Sequence, residues 1–223
     1  MITYYHQNKG RFSSCEDSFT STVFDLLKYL PSQVFWDIFR KSMYYQNLPK
    51  VSGEIQEFAY WPKWDPVNTG NSNYVEPDIF IRFEEFDLII EAKVLEEGQQ
   101  CEYQAMREIQ AYYNEYGDDE KDFYFIQVGG LQSLNEETVR VKGQNIMIFK
   151  TDWTKILGQV VFEKDKLANI SFSQINSYKR ILEDLIKGFE LHGHYKKLWL
   201  DSLESIFIST QISNTFFNYV TKH

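Results

Sequence analysis

Two carboxylates and a lysine lie close to the ends of two neighbouring apolar segments. Asp78 opens the segment 78–83, and Glu91 and Lys93 flank Ala92 in the segment 87–94. Side chains alternate between the two faces of a strand, so Glu91 and Lys93 share a face and Ala92 points away. A hairpin with an even-length loop places Asp78 opposite Glu91 or Lys93, on their face. An odd-length loop would place Asp78 on the other face.

Such a cluster suits divalent-metal chemistry. Two carboxylates on adjacent strands offer the hard oxygen ligands that Mg²⁺ or Mn²⁺ prefers. A nearby ammonium can orient an attacking water and offset charge that develops on a phosphate. The flanking residues are strongly apolar, and buried carboxylates are costly unless they are paired or metal-bound. The alternative is an ordinary ion pair between Lys93 and Asp78 or Glu91.

A third acid, Glu16, begins the first predicted helix, over residues 16–30. On a helical wheel Glu16 falls at the centre of the apolar stripe formed by Phe19, Val23 and Leu27. A carboxylate aimed at the core predicts a further acidic group at the same metal site. The alternative is an acid that stabilises the positive end of the helix dipole.

The elements that position these residues predict a mixed α/β layered fold. Periodicity and turn residues predict helices at 16–30, 33–41, 99–116, 153–162, 174–191 and 195–207, and strands at 54–61, 78–83, 87–94, 122–128 and 145–150. The length of 223 residues favours one domain over residues 1–223. Its core would span about residues 16–150, with a C-terminal helical extension over about 151–223.

Pro77-Asp78 and Glu91-Ala92-Lys93, with Glu16 upstream, resemble the PD-(D/E)xK nuclease superfamily. The resemblance covers roughly residues 16–128 and implies a restriction-endonuclease-like three-layer core, with the order αβββαβ. It implies that Asp78 and Glu91 ligate Mg²⁺ or Mn²⁺ together with the Ala92 carbonyl, and that Glu16 completes the site. Lys93 would position the water or stabilise the transition state.

Some members of that superfamily carry a glutamine on the helix after the lysine, often followed by tyrosine four residues later. Gln104 has the matching offset and is a candidate catalytic residue. Glu108 stands where the tyrosine would be, and Tyr112 lies one turn further on. That motif is therefore incomplete. The alternative interpretation is that Gln104 is an ordinary solvated residue on the surface of the helix.

The charge balance bears on the partner. The net charge is −9, with a pI of about 5.0, so the global field does not attract nucleic acid. Between Val139 and Leu200, however, eleven basic residues outnumber six acidic ones. Candidate phosphate-binding residues are Lys142, Lys155, Lys179 and Arg180, with ordinary surface positions as the alternative.

The predicted function is that of a Mg²⁺-dependent (or Mn²⁺-dependent) nuclease that hydrolyses DNA, in restriction, phage defence or mobile-element biology. It would act as a homodimer or within a larger restriction or defence complex. The alternative is a catalytically inactive nuclease-fold domain that binds nucleic acid or a protein.

The hydropathy pattern predicts a cytoplasmic protein with no membrane contact. No stretch approaches the eighteen apolar residues of a membrane-spanning helix, and the first residues lack the apolar run of a secretion signal. Cys15 and Cys101 lack the spacing of a zinc site, and both are predicted to be buried free thiols.

Overall fold

A computed structural model describes residues 15–94, 100–167 and 173–195 of the chain. The elements in chain order are α1 (Glu16–Leu27), α2 (Ser32–Ser42), β1 (Ile55–Tyr60), β2 (Ile79–Phe83), β3 (Asp87–Ala92), α3 (Glu102–Tyr116), β4 (Phe123–Val128), β5 (Glu137–Val141), β6 (Gln144–Thr151), α4 (Trp153–Lys166) and α5 (Ser173–Leu191). The predicted helix at 195–207 lies, from residue 196 onward, outside the described residues. Every helix in the described ranges is too short or too polar to span a bilayer.

The strands form one six-stranded mixed sheet in the order β1-β2-β3-β4-β6-β5. Two pairs are parallel, β3 with β4 and β4 with β6. The other three pairs, β1 with β2, β2 with β3 and β5 with β6, are antiparallel. The predicted mixed α/β class is therefore confirmed. β5 was not predicted, because only Val139 and Val141 of its five residues are buried and the apolar signal is short.

Helices cover both faces of the sheet. On one face, α1, α2, α4 and α5 share a core with the side chains of Ile79, Ile81, Leu88, Ile90 and Ala92. On the other face, α3 packs on Phe80, Ile89, Phe125 and Ile148. Because the side chains of β2 and β3 alternate between these two cores, residues 78 and 91 point toward α3.

The hairpin register is the one that the paired carboxylates require. The Phe83 amide donates to the Phe86 carbonyl at 2.9 Å, so a two-residue loop joins β2 to β3. Ile79 pairs with Ile90, and the same register continues to place Asp78 opposite Glu91. The even-loop prediction is confirmed, in its two-residue form.

Both cysteines are exposed, so the prediction of buried thiols is wrong. Cys15 is the N-cap residue of α1, and Cys101 is the N-cap residue of α3. A residue that caps a helix precedes the first core-facing turn, and at both positions the side chain faces solvent. The start of α3 at Glu102 also shortens the predicted helix at 99–116.

Candidate active site

Asp78 precedes β2 and lies at the open end of the hairpin, with 9% of its surface exposed. Its Oδ2 accepts a hydrogen bond from the Ala92 amide at 2.8 Å. Burial, followed by the charge of Glu91, raises the pKa of Asp78 to about 7, although the Ala92 amide and Lys93 act in the opposite direction. The carboxyl group of Asp78 therefore holds a proton up to near-neutral pH when no added cation is present.

The side chain of Lys93, just after β3, contacts Glu16 at the start of α1 and Glu91 on β3. Its Nζ lies 3.0 Å from Oε1 of Glu16 and also donates to Oε1 of Glu91. Burial opposes the charge on this ammonium, but Glu91, Asp78 and Glu16 together outweigh it and raise the pKa of Lys93. The structure thus brings together the four charged residues predicted to converge. Glu16 is about one-third exposed.

The Lys93 backbone is fixed on both sides. Its amide donates to the Val128 carbonyl at 2.8 Å, and its carbonyl accepts from the Trp153 indole Nε1, also at 2.8 Å. Gly129 has a φ of +69°, and a Cβ there would overlap the Lys93 carbonyl oxygen. Glycine is thus required at position 129, because it tolerates this φ and allows the close approach.

Helix α3 adds two side chains from the opposite layer. Gln104 Nε2 donates to Oε1 of Glu91 at 2.6 Å, so Gln104 reaches the site rather than solvent. Glu108 lies one turn further along and is 2% exposed. Burial, together with the charges of Glu91 and Asp78, raises the pKa of Glu108 well above its ordinary value.

Glu108 is the site residue that sequence reasoning missed. It is buried on α3 together with Ala105, Ile109 and Tyr112. The signal that could have found it is the one used for Glu16, an acid on the apolar face of a helix. Position 108, where the motif after the lysine would carry a tyrosine, is occupied by this carboxylate instead.

The buried carboxylates outnumber the cations that contact them. Oε2 of Glu91 and Oε2 of Glu108 are buried, and neither accepts a hydrogen bond from an N–H or O–H donor in the part of the chain that the structure describes; the two carboxyl groups instead interact with each other. Among the same residues, Lys93 is the one cationic side chain that forms an ion pair with Glu91. The site therefore holds more acidic groups than cations, and a divalent cation could take the place of the protons that the raised pKa values of Asp78 and Glu108 favour.

The present side-chain positions do not by themselves form a closed metal cage. Within the described ranges, no three His, Cys, Asp or Glu side chains are grouped closely enough to hold an ion. The Lys93 ammonium lies between Glu16 and Glu91, and it keeps these two carboxylates bound to itself. The donor set still fits Mg²⁺ or Mn²⁺, because carboxylate oxygens without partners are hard ligands.

A cavity of about 270 Å³ opens beside the site. Gln104, Arg107 and Glu108 of α3 line it on one side, and Asn71, Val75 and Glu76 line it on the other. Gln104 and Glu108 also adjoin Glu91, so the cavity is a route from the surface to the buried carboxylates.

The four candidate phosphate-binding residues do not form one surface. Lys142 lies in the turn between β5 and β6, with its Nζ 5.2 Å from the Tyr113 ring of α3. Lys155 is on α4, and Lys179 and Arg180 are on α5. Because α4 and α5 belong to the other helical layer, Lys142 is the one of the four on the α3 side.

The chain is similar to an uncharacterized protein of Pasteurella multocida (strain Pm70). The two are 29% identical over 206 residues, which cover 87% of this chain and 77% of the relative. No protein-family model matches the chain, and no solved structure matches it. The relative's name states no activity, so the functional argument rests on the geometry of the site.

Proposed function

We propose that the chain is a divalent-metal-dependent nuclease of the PD-(D/E)xK type, with a restriction-endonuclease-like fold, that hydrolyses DNA phosphodiester bonds. One observation carries this proposal. Asp78 and Glu91 converge at the end of a β-hairpin with Lys93 against them, and two buried carboxylate oxygens there accept no hydrogen bond from a donor of the described residues. Structural ion pairs are normally satisfied within the protein, and this arrangement is not.

The residues that would hold the cation are Asp78, Glu91 and Glu16, with the Ala92 carbonyl oxygen. To these we add Glu108, because its carboxyl group is buried against that of Glu91 and its Oε2 accepts no hydrogen bond from a donor of the described residues. When bound, Mg²⁺ or Mn²⁺ would supply Lewis-acid activation of water and charge neutralisation at the phosphate.

Lys93 acts as a positioning and electrostatic group. Its carboxylate neighbours raise its pKa, so it stays protonated and cannot serve as a general base at neutral pH. A protonated ammonium can donate a hydrogen bond to the attacking water and to a phosphate oxygen as negative charge develops there. Gly129 and Trp153 hold its backbone in place, and Gln104 orients Glu91.

The same fold without catalysis is the second candidate function. A net charge of −9 favours a domain that binds a protein or a restricted nucleic-acid site over an enzyme that binds long DNA.

For the nuclease, cleavage of both strands of a duplex with one site per chain would favour a homodimer or a larger restriction or defence complex.

Cleavage of supercoiled, linear and single-stranded DNA in Mg²⁺, Mn²⁺ or EDTA tests the proposal. We expect metal-dependent cleavage by the wild type and a loss of at least about 100-fold in Lys93→Ala, which removes a transition-state contact. Lys41→Ala is the matched control, because Lys41 pairs with Asp37 and Glu163 on the other helical layer. Wild-type cleavage by Lys93→Ala would contradict the mechanism, and an inert wild type would favour the non-catalytic alternative.

A further inference from the structure

A second cavity, of about 260 Å³, lies between α3 and the end of β5. Three cationic residues line it: Arg107 from α3, Arg140 from the edge strand β5 and Lys142 from the turn after β5. Tyr103, on the first turn of α3, lines the same cavity and is 70% exposed. This basic groove therefore combines clustered positive charge with an accessible aromatic ring.

Within the described residues, the cations of the basic groove have no carboxylate partner. None of the three forms an ion pair there, whereas Arg82, Lys93 and Lys150 all do. Arg107 instead contacts the Asn71 amide oxygen at 3.4 Å, and Lys142 lies over the Tyr113 ring. In a protein with an excess of acids, cations that gather at one cavity and pair with no carboxylate of the described ranges form a local site for anions.

The backbone holds two of these cations in a fixed position. β5 and β6 form a hairpin in which Val141 pairs with Gln144, so Lys142 and Gly143 make a two-residue turn. Both have positive φ, 47° and 81°, which matches the tight hairpin turn that suits strand twist. Val139 and Val141 are buried in the core beneath α3. Arg140, between them, is exposed, and it is anchored beside Lys142.

The basic groove adjoins the cavity beside the candidate active site. Arg107 lines this groove and also the cavity that reaches Gln104 and Glu108. Gln104 lies three residues before Arg107 on the same helix and contacts Glu91. Three residues of an α-helix span about 4.5 Å along its axis, so the groove begins close to the carboxylates.

We propose that the basic groove binds the phosphate backbone of a single nucleic-acid strand whose neighbouring phosphate lies at the active site, with Tyr103 stacked on a base. The role of this strand as substrate rests on the proposed function. Backbone-tracking cations beside an exposed aromatic ring are the usual features of single-strand binding. The acidic site would then cleave the strand, and the basic groove would bind it.

Fluorescence anisotropy of a labelled oligothymidylate, measured in EDTA so that no cleavage occurs, tests the proposal. The test variant is the double change Arg140→Glu with Lys142→Glu. The matched control is Lys164→Glu on α4 with Lys187→Glu on α5, which changes the net charge by the same amount on the other helical layer. Circular dichroism checks that both variants keep the helical content of the wild type.

Two lost phosphate contacts should weaken binding by about 20-fold at about 0.1 M salt and reduce the slope of log K against log salt by about 1.4. The control should bind within a few-fold of the wild type. Equal weakening in both variants would show a general charge effect and overturn the proposal. Unchanged binding by the test variant, or no binding by the wild type, would overturn it as well.

Tyr103→Ala provides a second variant that leaves the charge unchanged. Loss of a stacked base should weaken oligothymidylate binding by about fivefold or more, and a labelled duplex should respond less than the single strand. If the test double variant does not fold, Tyr103→Ala decides, and wild-type affinity in that variant would contradict the proposal. An inert wild type that still loses binding with the groove variants would end the nuclease proposal and leave the groove intact.

Discussion

The two ends of the β2–β3 hairpin both contain buried carboxylates, but the two ends differ in the partners that compensate them. At the turn end, Asp87 is fully buried and accepts from Arg82 at 3.0–3.2 Å and from the Tyr112 hydroxyl at 3.1 Å. Lys121 Nζ lies 3.2 Å from its Oδ1. At the open end, Asp78, Glu91 and Glu108 are buried close together, and Lys93 is the cationic side chain that contacts them in the described ranges.

This difference separates a structural carboxylate from a functional one. Asp87 has two cations and a hydroxyl, so its burial is compensated within the protein. At the open end, burial and then the neighbouring carboxyl groups raise the pKa of Asp78 and of Glu108, which means that the fold holds these acids together at a cost. Such perturbed groups are typical of sites that bind a ligand of opposite charge.

The largest expected contrast is between Asp87→Ala and Asp78→Ala. Asp87→Ala removes the carboxylate that Arg82 and Lys121 share, leaving Arg82 with Asp119 and Lys121 with the Phe83 carbonyl, and should cost about 3 kcal/mol in the free energy of unfolding. Asp78→Ala removes one hydrogen bond but also relieves repulsion, so it should cost no more than about 1.5 kcal/mol. Urea unfolding in EDTA measures both, and equal losses would contradict the distinction between the two ends.

The pH dependence of stability sharpens the comparison. The pKa of Asp78 is about 7 in the folded protein, above the ordinary value of 3.8. Its protonation therefore stabilises the fold fully below pH of about 4, and this contribution is lost as the pH rises through about 7. In EDTA, the wild type should lose stability relative to Asp78→Asn across that window. Unfolding curves that remain parallel at every pH would refute the raised pKa.

Glu108→Gln should produce a smaller change in the free energy of unfolding, and the change should be stabilising. It removes a carboxyl group that is buried without a partner for Oε2, so the metal-free protein should gain about 1 kcal/mol. Mn²⁺ should then raise the melting temperature of the variant less than that of the wild type. Glu102→Gln, at an exposed position on the first turn of the same helix, is the control. A destabilised variant with an undiminished Mn²⁺ shift would assign Glu108 a purely structural role.

The site was predictable where local periodicity determines it. Strand alternation placed Glu91 and Lys93 together, and the helical stripe of Phe19 and Val23 turned Glu16 inward. The parts that were missed depend on contacts between distant segments. Glu108 reaches the site only because α3 packs across β3, and Arg107 shares a cavity with Lys142 only because the short strand β5 pairs with β6 beside α3. The apolar stripe of α3 shows that Glu108 faces inward, but no local pattern shows which distant residues it meets.

Calorimetric titration of Mn²⁺ tests the central claim most directly, because it asks whether the open end of the hairpin receives a cation. The wild type should give a saturable isotherm. Glu91→Gln, which keeps the shape of the side chain but removes its charge, should weaken the affinity at least about 10-fold, as loss of a metal-site contact does. Identical isotherms for the two proteins, or no binding heat from the wild type, would contradict the account.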